Sequence, residues 1–116
     1  MNYLDQFQIE KEWQEWQKKL NAHFSQELSL EGVLLLIGIR EMGWGKVELD
    51  KELKTRLIDI GICTVLAQSG YFVLQGKDEF NFPVYEAKQA LPKLSYKEQE
   101  VLLKQHIIAY LKSIDF

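Results

Sequence analysis

The sequence predicts a mainly α protein, a small four-helix domain with a β-hairpin between the third and fourth helices. Three observations predict this fold class. Residues 33–39 are seven consecutive residues without a polar side chain, capping patterns mark several helix starts, and the spacing changes to alternation after Gly70. The apolar run is far shorter than the ~20 residues that a membrane span needs, so we expect it to form a buried helix.

Composition places the 116 residues in the size range of one globular domain, and we expect a single helical domain over residues 1–116. The net charge of −3 disfavours a general nucleic-acid binder, which usually needs a concentrated basic face. The chain has one cysteine, Cys63, which suits a reducing compartment. The first residues show no secretory signal, so we expect a cytoplasmic protein.

The first helix is predicted to begin at Asp5, because Asp5 and Gln8 have the spacing of a capping box. Its apolar residues recur every three or four positions, which is the spacing of one helical face. We expect this face to lie in the core. It consists of Ile9, Trp13, Trp16, Leu20 and Phe24.

The second helix contains the apolar run and is predicted to end near Met42, since Gly43 can accept the positive φ found just past a helix end. The third helix is predicted to start after Asp50, a good N-cap residue, and to continue to Ser69. Both helices are apolar on more than one face. We therefore expect them to be the most buried elements.

Two glycines lie near the middle of these helices, Gly38 and Gly61, where glycine costs about 1 kcal/mol relative to alanine. A close crossing of the two backbones is the simplest compensation. The functional alternative is a ligand pocket beside the glycines, as in a small enzyme or ligand sensor. Arg40 and Asp59 are predicted to form a partly buried ion pair that fixes helix register, and they would be the polar groups of such a pocket.

The hairpin is predicted from residues 71–75, which are rich in β-formers, and from Phe80, Phe82 and Val84, which alternate with other residues. Residues 76–79 have the composition of a turn. Pro83 lacks an N–H group, which confines the second strand to an edge or a bulge.

The last helix is predicted from about Tyr96 to Ser113, because Ser95 and Glu98 form a capping-box pattern. Leu103, Ile107, Tyr110 and Ile114 define its expected inner face. By the 100° step of a helix, Val101 and Ile108 are predicted to point outward and to form a second contact surface.

Known catalytic and metal-binding patterns are missing from the sequence. It contains no phosphate-binding loop, no Gly-x-Ser-x-Gly elbow, no His-Glu-x-x-His motif and no paired-cysteine spacing. We therefore expect no catalytic residue, no metal site and no cofactor, and we favour a protein that is not an enzyme.

The favoured hypothesis is a non-enzymatic protein–protein interaction module that binds a protein partner or a second copy of itself. Aromatic residues on turns and edge strands are typical interface anchors. The candidate interaction residues are Trp44, Tyr71, Phe72, Phe80, Phe82, Tyr85, Val101 and Ile108.

A DNA-binding alternative comes from the order of elements. Residues 30–87 resemble the winged-helix arrangement, in which a recognition helix precedes a two-stranded wing. Lys51, Lys54 and Arg56 lie in the first turns of the helix that would contact bases. Asp78 and Glu79 at the wing tip oppose this alternative, because their carboxylates would face phosphates.

A second resemblance covers residues 30–92. The segments LIGIREMGWG and GYFVLQGKDEFNFPVYE are similar to those of small bacterial proteins of unknown function. This resemblance implies a bacterial cytosolic origin. It implies no activity and assigns no functional residue.

Overall fold

A computed structural model of the chain describes residues 3–46 and 48–116, and it confirms the predicted mainly α fold with a hairpin between the third and fourth helices. The elements in chain order are α1 (Tyr3–Phe24), α2 (Leu30–Met42), α3 (Lys51–Ala67), β1 (Phe72–Lys77), β2 (Pro83–Ala87) and α4 (Tyr96–Ser113). The two strands form an antiparallel sheet.

The contacts divide the chain into two compact units. The first unit comprises Met1–Leu30 and Pro92–Phe116, which include α1 and α4. The second unit is Glu31–Leu91, which includes nearly all of α2 together with α3 and the hairpin. A single domain over residues 1–116 stays a prediction.

In the first unit, α1 and α4 are joined by charged side chains. Both carboxylate oxygens of Glu10 accept hydrogen bonds from Lys104 Nζ at 3.0 Å, and Lys97 Nζ lies 3.4 Å from the same carboxylate. Further along α1, Lys19 Nζ donates to the backbone oxygen of Phe116 at 2.9 Å. Later residues of α1 thus meet later residues of α4, so the two helices run in the same direction.

The predicted start of α1 is wrong. The helix begins at Tyr3, so Asp5 lies inside the first turn instead of capping it. The Gln8 side chain donates to Glu12 Oε1 at 3.3 Å. On the predicted apolar face, Trp13 and Leu20 are buried, whereas Phe24 is exposed.

The predicted start of α4 is confirmed, and both hydrogen bonds of the predicted capping box are present. Ser95 Oγ accepts a hydrogen bond from the Glu98 N–H at 3.2 Å, and Glu98 Oε1 accepts one from the Ser95 N–H at 3.1 Å. This reciprocal capping box begins the helix at Tyr96, the predicted residue.

The outer contact surface predicted on α4 is wrong, because Val101 is 0% exposed and Ile108 is 4% exposed. Ile107 and Tyr110 of the expected inner face are also buried, as is His106. Each residue turns the helix by 100°, so the buried side chains occupy an arc of about 220° around the helix axis. His106 and Val101 lie at the two ends of this arc. The helix is buried on both apolar stripes, so Val101 and Ile108 belong to the core.

In the second unit, α2 and α3 cross in close contact, as the two glycines predict. A Cβ placed on Gly38 would lie 2.8 Å from the carbonyl carbon of Leu57, and one on Gly61 would lie 3.0 Å from that of Leu34. Residue 38 meets residue 57 while residue 34 meets residue 61, so the two helices are antiparallel. Backbone, not a ligand, fills the space beside both glycines.

The caps of these two helices also agree with the sequence. Gly43 follows α2 with φ of 69°, in the left-handed region that favours glycine. Asp50 Oδ1 accepts a hydrogen bond from the Leu53 N–H at 2.8 Å and caps α3. Both helices are rich in buried residues, including Val33, Leu34, Ile37, Leu57, Val65 and Leu66.

Candidate functional site

The candidate site is the part of the second unit where the hairpin meets α3. The hairpin turn is organised by Asp78, which directly follows β1. Its Oδ1 accepts hydrogen bonds from the backbone N–H groups of Phe80 and Phe82, both at 2.9 Å. The Asp78 N–H donates in turn to the Phe82 carbonyl at 2.9 Å. One carboxylate therefore fixes the backbone of the whole turn.

Arg56 connects this turn to α3. Its Nη2 lies 2.7 Å from Asp78 Oδ2, and its guanidinium carbon lies 3.8 Å from the centre of the Phe82 ring. The Phe82 and Phe80 N–H groups and the Arg56 guanidinium hold the pKa of Asp78 below its ordinary value. On another side of Phe82, the Trp44 ring makes an edge contact with centroids 5.8 Å apart. We call Trp44, Arg56, Asp78 and Phe82 the turn cluster.

A second connection joins β2 to α3 through hydroxyl groups. Thr64 Oγ1 donates to the Ile60 carbonyl at 2.7 Å and lies 3.2 Å from the Tyr85 hydroxyl. Because the Thr64 proton is used by Ile60, the Tyr85 hydroxyl is the donor in this pair. The hairpin is thus fixed to α3 at its turn and at the middle of β2.

Between these two connections lies an open cleft of about 200 Å³ on the side of α3 that faces β2. Its residues are Arg56, Asp59, Ile60, Cys63, Pro83 and Tyr85, and we call it the hairpin cleft. Burial and the nearby Asp59 carboxylate raise the pKa of the Cys63 thiol. The thiol is therefore protonated at neutral pH and a poor nucleophile, as a small apolar group would be.

The hairpin also carries apolar side chains that solvent reaches. Val73 is 41% exposed, Leu74 54%, Val84 43% and Phe80, in the turn, 69%. In the described ranges the sheet contains β1 and β2 alone, so each strand has one side without a strand neighbour. Open strand sides next to exposed apolar residues are typical of interaction surfaces.

The predicted aromatic residues fall into two groups. Phe80 is exposed, whereas Trp44, Tyr71, Phe72, Phe82 and Tyr85 are half-buried. Phe82 and Tyr85 face α3 through the contacts described above, so they support the hairpin. Of these six aromatic residues, Phe80 is the most exposed. Two further roles are not predicted from the sequence: Asp78 organises the turn, and Thr64 holds Tyr85.

The predicted buried pair of Arg40 and Asp59 is wrong. Both residues are exposed, and Arg40 Nη1 lies 3.6 Å from the carboxylate of its neighbour Glu41. The antiparallel crossing explains the separation. It places Arg40 level with residue 55 of α3 and Asp59 level with residue 36 of α2. Arg40 and Asp59 are therefore four residues, or about 6 Å, apart along the helix axes.

The three basic residues proposed for DNA contact have different surroundings. Lys51 and Lys54 are exposed in the first turns of α3. Arg56 is bound to Asp78 and stacked on Phe82. Two of the three cations thus project into solvent, and the third supports the turn cluster.

No three His, Cys, Asp or Glu side chains of residues 3–46 and 48–116 come together in a group that could hold a metal ion. No helix in the part of the chain that the structure describes is long and apolar enough to cross a membrane. The chain matches no protein-family model, no curated protein and no solved structure.

Proposed function

We propose that this chain is a non-enzymatic interaction module that associates with a second copy of itself through the hairpin. The observation that carries the proposal is the exposure of Val73, Leu74, Phe80 and Val84 on one two-stranded element. Apolar groups that are held in water are stabilised when another surface covers them, by about 25 cal/mol for each Å² removed from solvent.

The hairpin is also well prepared for binding. The Arg56–Asp78 ion pair and the Thr64–Tyr85 hydrogen bond fix it to α3 at two places. A surface that is already ordered loses less conformational entropy when it binds. The strand sides that have no strand neighbour within the described residues can add further backbone hydrogen bonds to a partner strand. A second copy is the proposed partner because it offers an identical open hairpin.

The proposal includes a bacterial cytoplasm as the location, which the resemblance of residues 30–92 implies. A single, half-buried cysteine, Cys63, agrees with a reducing compartment.

Light scattering across a concentration series tests the proposal. We expect the wild-type protein to form dimers as concentration rises, and the double variant Leu74→Gln with Val84→Thr to shift this equilibrium toward monomers. Leu4→Gln is the matched control, since Leu4 is 75% exposed on α1 and lies outside the hairpin. Circular dichroism checks that each variant is folded. A wild-type protein that stays monomeric at every concentration overturns self-association, and a dimer that only Leu4→Gln disrupts overturns the hairpin as its site.

DNA binding is the second candidate function, supported by the exposed Lys51 and Lys54 at the start of α3. The same structure uses Arg56 to bind Asp78, so a phosphate would have to compete with a carboxylate for that guanidinium. Titration of mixed duplex DNA at rising salt is the test, because phosphate contacts make affinity fall steeply with salt. Binding that is absent at low salt, or unchanged in Lys51→Gln with Lys54→Gln, removes this candidate.

A further inference from the structure

The hairpin cleft has the size of a single side chain. Its volume is about 200 Å³. Pockets for free ligands usually have about 300–1,000 Å³, whereas a cavity of about 150 Å³ holds one benzene ring. Ile60, Pro83, the Cys63 thiol and the Tyr85 ring supply apolar walls. The cleft is therefore better suited to one aromatic ring than to a metabolite.

The Phe80 ring is an aromatic ring that the rest of the chain leaves largely uncovered. It is 69% exposed in the turn after β1, and its backbone N–H is held by Asp78 Oδ1 at 2.9 Å. The turn cluster thus presents this side chain on a fixed backbone. An exposed aromatic residue on an ordered turn has the features of an interface anchor.

Charges beside the ring and beside the cleft are complementary. Lys77 and Glu79, both exposed, flank the turn that carries Phe80. Asp59 and Arg56 lie at the cleft, and the Arg56 side chain remains 49% exposed while it binds Asp78. A guanidinium has five N–H donors, so Arg56 can bind a second carboxylate. A second copy that placed Lys77 beside Asp59 and Glu79 beside Arg56 would pair opposite charges on both sides of the ring.

We infer that Phe80 of one copy occupies the hairpin cleft of a second copy, and that the second copy returns the same contact. This inference rests on the self-association proposed above and names the residues that carry it. Turn and cleft both belong to the second unit, so the exchange needs only that unit from each copy. A reciprocal exchange is an isologous interface that closes at two copies.

The size of the contact predicts a weak dimer. An aromatic side chain buries about 150–250 Å², so two Phe80 rings supply far less than the roughly 1,200 Å² of a stable interface. Leu74, which pairs with Tyr85 across the hairpin and therefore lies on the same face of the sheet as the cleft, must add to it. We therefore expect an equilibrium that responds to dilution in the micromolar range, in place of a permanent dimer.

Disulfide trapping tests the inference, because the wild-type chain contains one cysteine, Cys63, inside the cleft. We expect Phe80→Cys, oxidised at alkaline pH where the Cys63 thiol ionises, to give a covalent dimer that peptide mapping assigns to residue 80 of one copy and Cys63 of the other. Phe80→Cys combined with Cys63→Ser is the control for bonds between two copies of residue 80. Leu74→Cys is the control for general proximity, since Leu74 is 54% exposed on the same hairpin.

Light scattering gives the second measurement. We expect Phe80→Ala to raise the dimer dissociation constant at least tenfold. Lys77→Glu and Asp59→Lys should each weaken the dimer, and their combination should restore it. If wild type is monomeric throughout, self-association fails and the inference fails with it. If wild type is dimeric but Phe80→Ala leaves the constant unchanged, or trapping joins only other residues, the inference alone is overturned.

Discussion

The backbone of Leu57 in α3 lies against Gly38 of α2 so closely that a Cβ on Gly38 would be 2.8 Å from the Leu57 carbonyl carbon. The obstacle is backbone, which cannot rotate away as a side chain can. Any side chain at position 38 therefore has to push the two helices apart. The reciprocal contact of Gly61 with Leu34 gives the crossing a second such point, and together they set the antiparallel register of α2 and α3.

Gly38→Ala is expected to destabilise the protein by about 2 kcal/mol, because an overpacking cost of about 3 kcal/mol exceeds the ~1 kcal/mol that alanine gains in helix propensity. Urea unfolding measures the difference. Gly45→Ala is the matched control, since no atom of the described residues other than its chain neighbours lies within 4 Å of its Cβ position. We expect that control to change stability by less than about 1 kcal/mol. Equal losses in the two variants contradict the crossing.

Local signals explain which parts of the fold could be predicted. The capping box at Ser95 and Glu98 involves residues three apart, so the sequence alone specifies it, and α4 begins where predicted. Gly38 and Gly61 could be interpreted as a pair because each is costly in a helix, and a close crossing is a common compensation. These features require no knowledge of the distant packing.

Other features depend on which faces of distant elements meet, and the sequence alone does not reveal this. The 100° step separates Val101 and Ile108 from the expected inner face of α4 and so predicts that they face solvent. Both are buried, because periodicity does not reveal how much of the circumference of a helix is covered. Whether Arg40 and Asp59 can pair depends on the register of α2 against α3, which the sequence does not reveal. Asp78, by contrast, had a local signal, since an aspartate often accepts N–H groups two or more residues later in a turn.

Lys104→Met is expected to cost about 1–3 kcal/mol at neutral pH, since it removes two charge-assisted hydrogen bonds to Glu10 from a side chain that is only 12% exposed. Burial alone would raise the pKa of Glu10, but Lys104 and then Lys97 hold it below its ordinary value. The variant should therefore raise the pKa of Glu10, which NMR titration of its carboxyl carbon detects.

The control for this ion pair is Lys97→Met. Lys97 is 65% exposed and lies 3.4 Å from the same Glu10 carboxylate. An exposed pair contributes roughly 0–1 kcal/mol, so we expect a smaller loss than for Lys104→Met. The stabilisation by Glu10 should be complete above its ordinary pKa and should disappear as pH falls through its lowered pKa in the folded protein. A larger effect at Lys97 contradicts this account.

Ser95→Ala is expected to destabilise the protein by about 1 kcal/mol, because it leaves the Glu98 N–H without the Ser95 Oγ acceptor. Thermal unfolding measures the loss. Ser95→Thr keeps a hydroxyl at the cap and should retain most of the stability. If alanine and threonine variants unfold at the same temperature, the hydroxyl does not support α4.

Asp78→Ala is expected to loosen the hairpin turn, because it removes the acceptor of the Phe80 and Phe82 N–H groups together with the partner of Arg56. Faster hydrogen exchange at those two amides measures this loss. Asp78→Asn keeps an oxygen acceptor but removes the charge, so it should have an intermediate effect. Glu79→Gln, one residue later in the same turn, is the control and should leave both amides protected.

The pH dependence of the turn separates its charge from its hydrogen bonds. The pKa of Asp78 is lowered in the folded protein, so its charge stabilises the turn above the ordinary carboxyl range. As pH falls through the lowered pKa, Asp78 gains a proton, and wild type should lose its advantage over Asp78→Asn. An advantage that persists after Asp78 is protonated contradicts a role for the ion pair. Because the turn fixes the backbone of Phe80, weaker self-association should accompany faster exchange in each Asp78 variant.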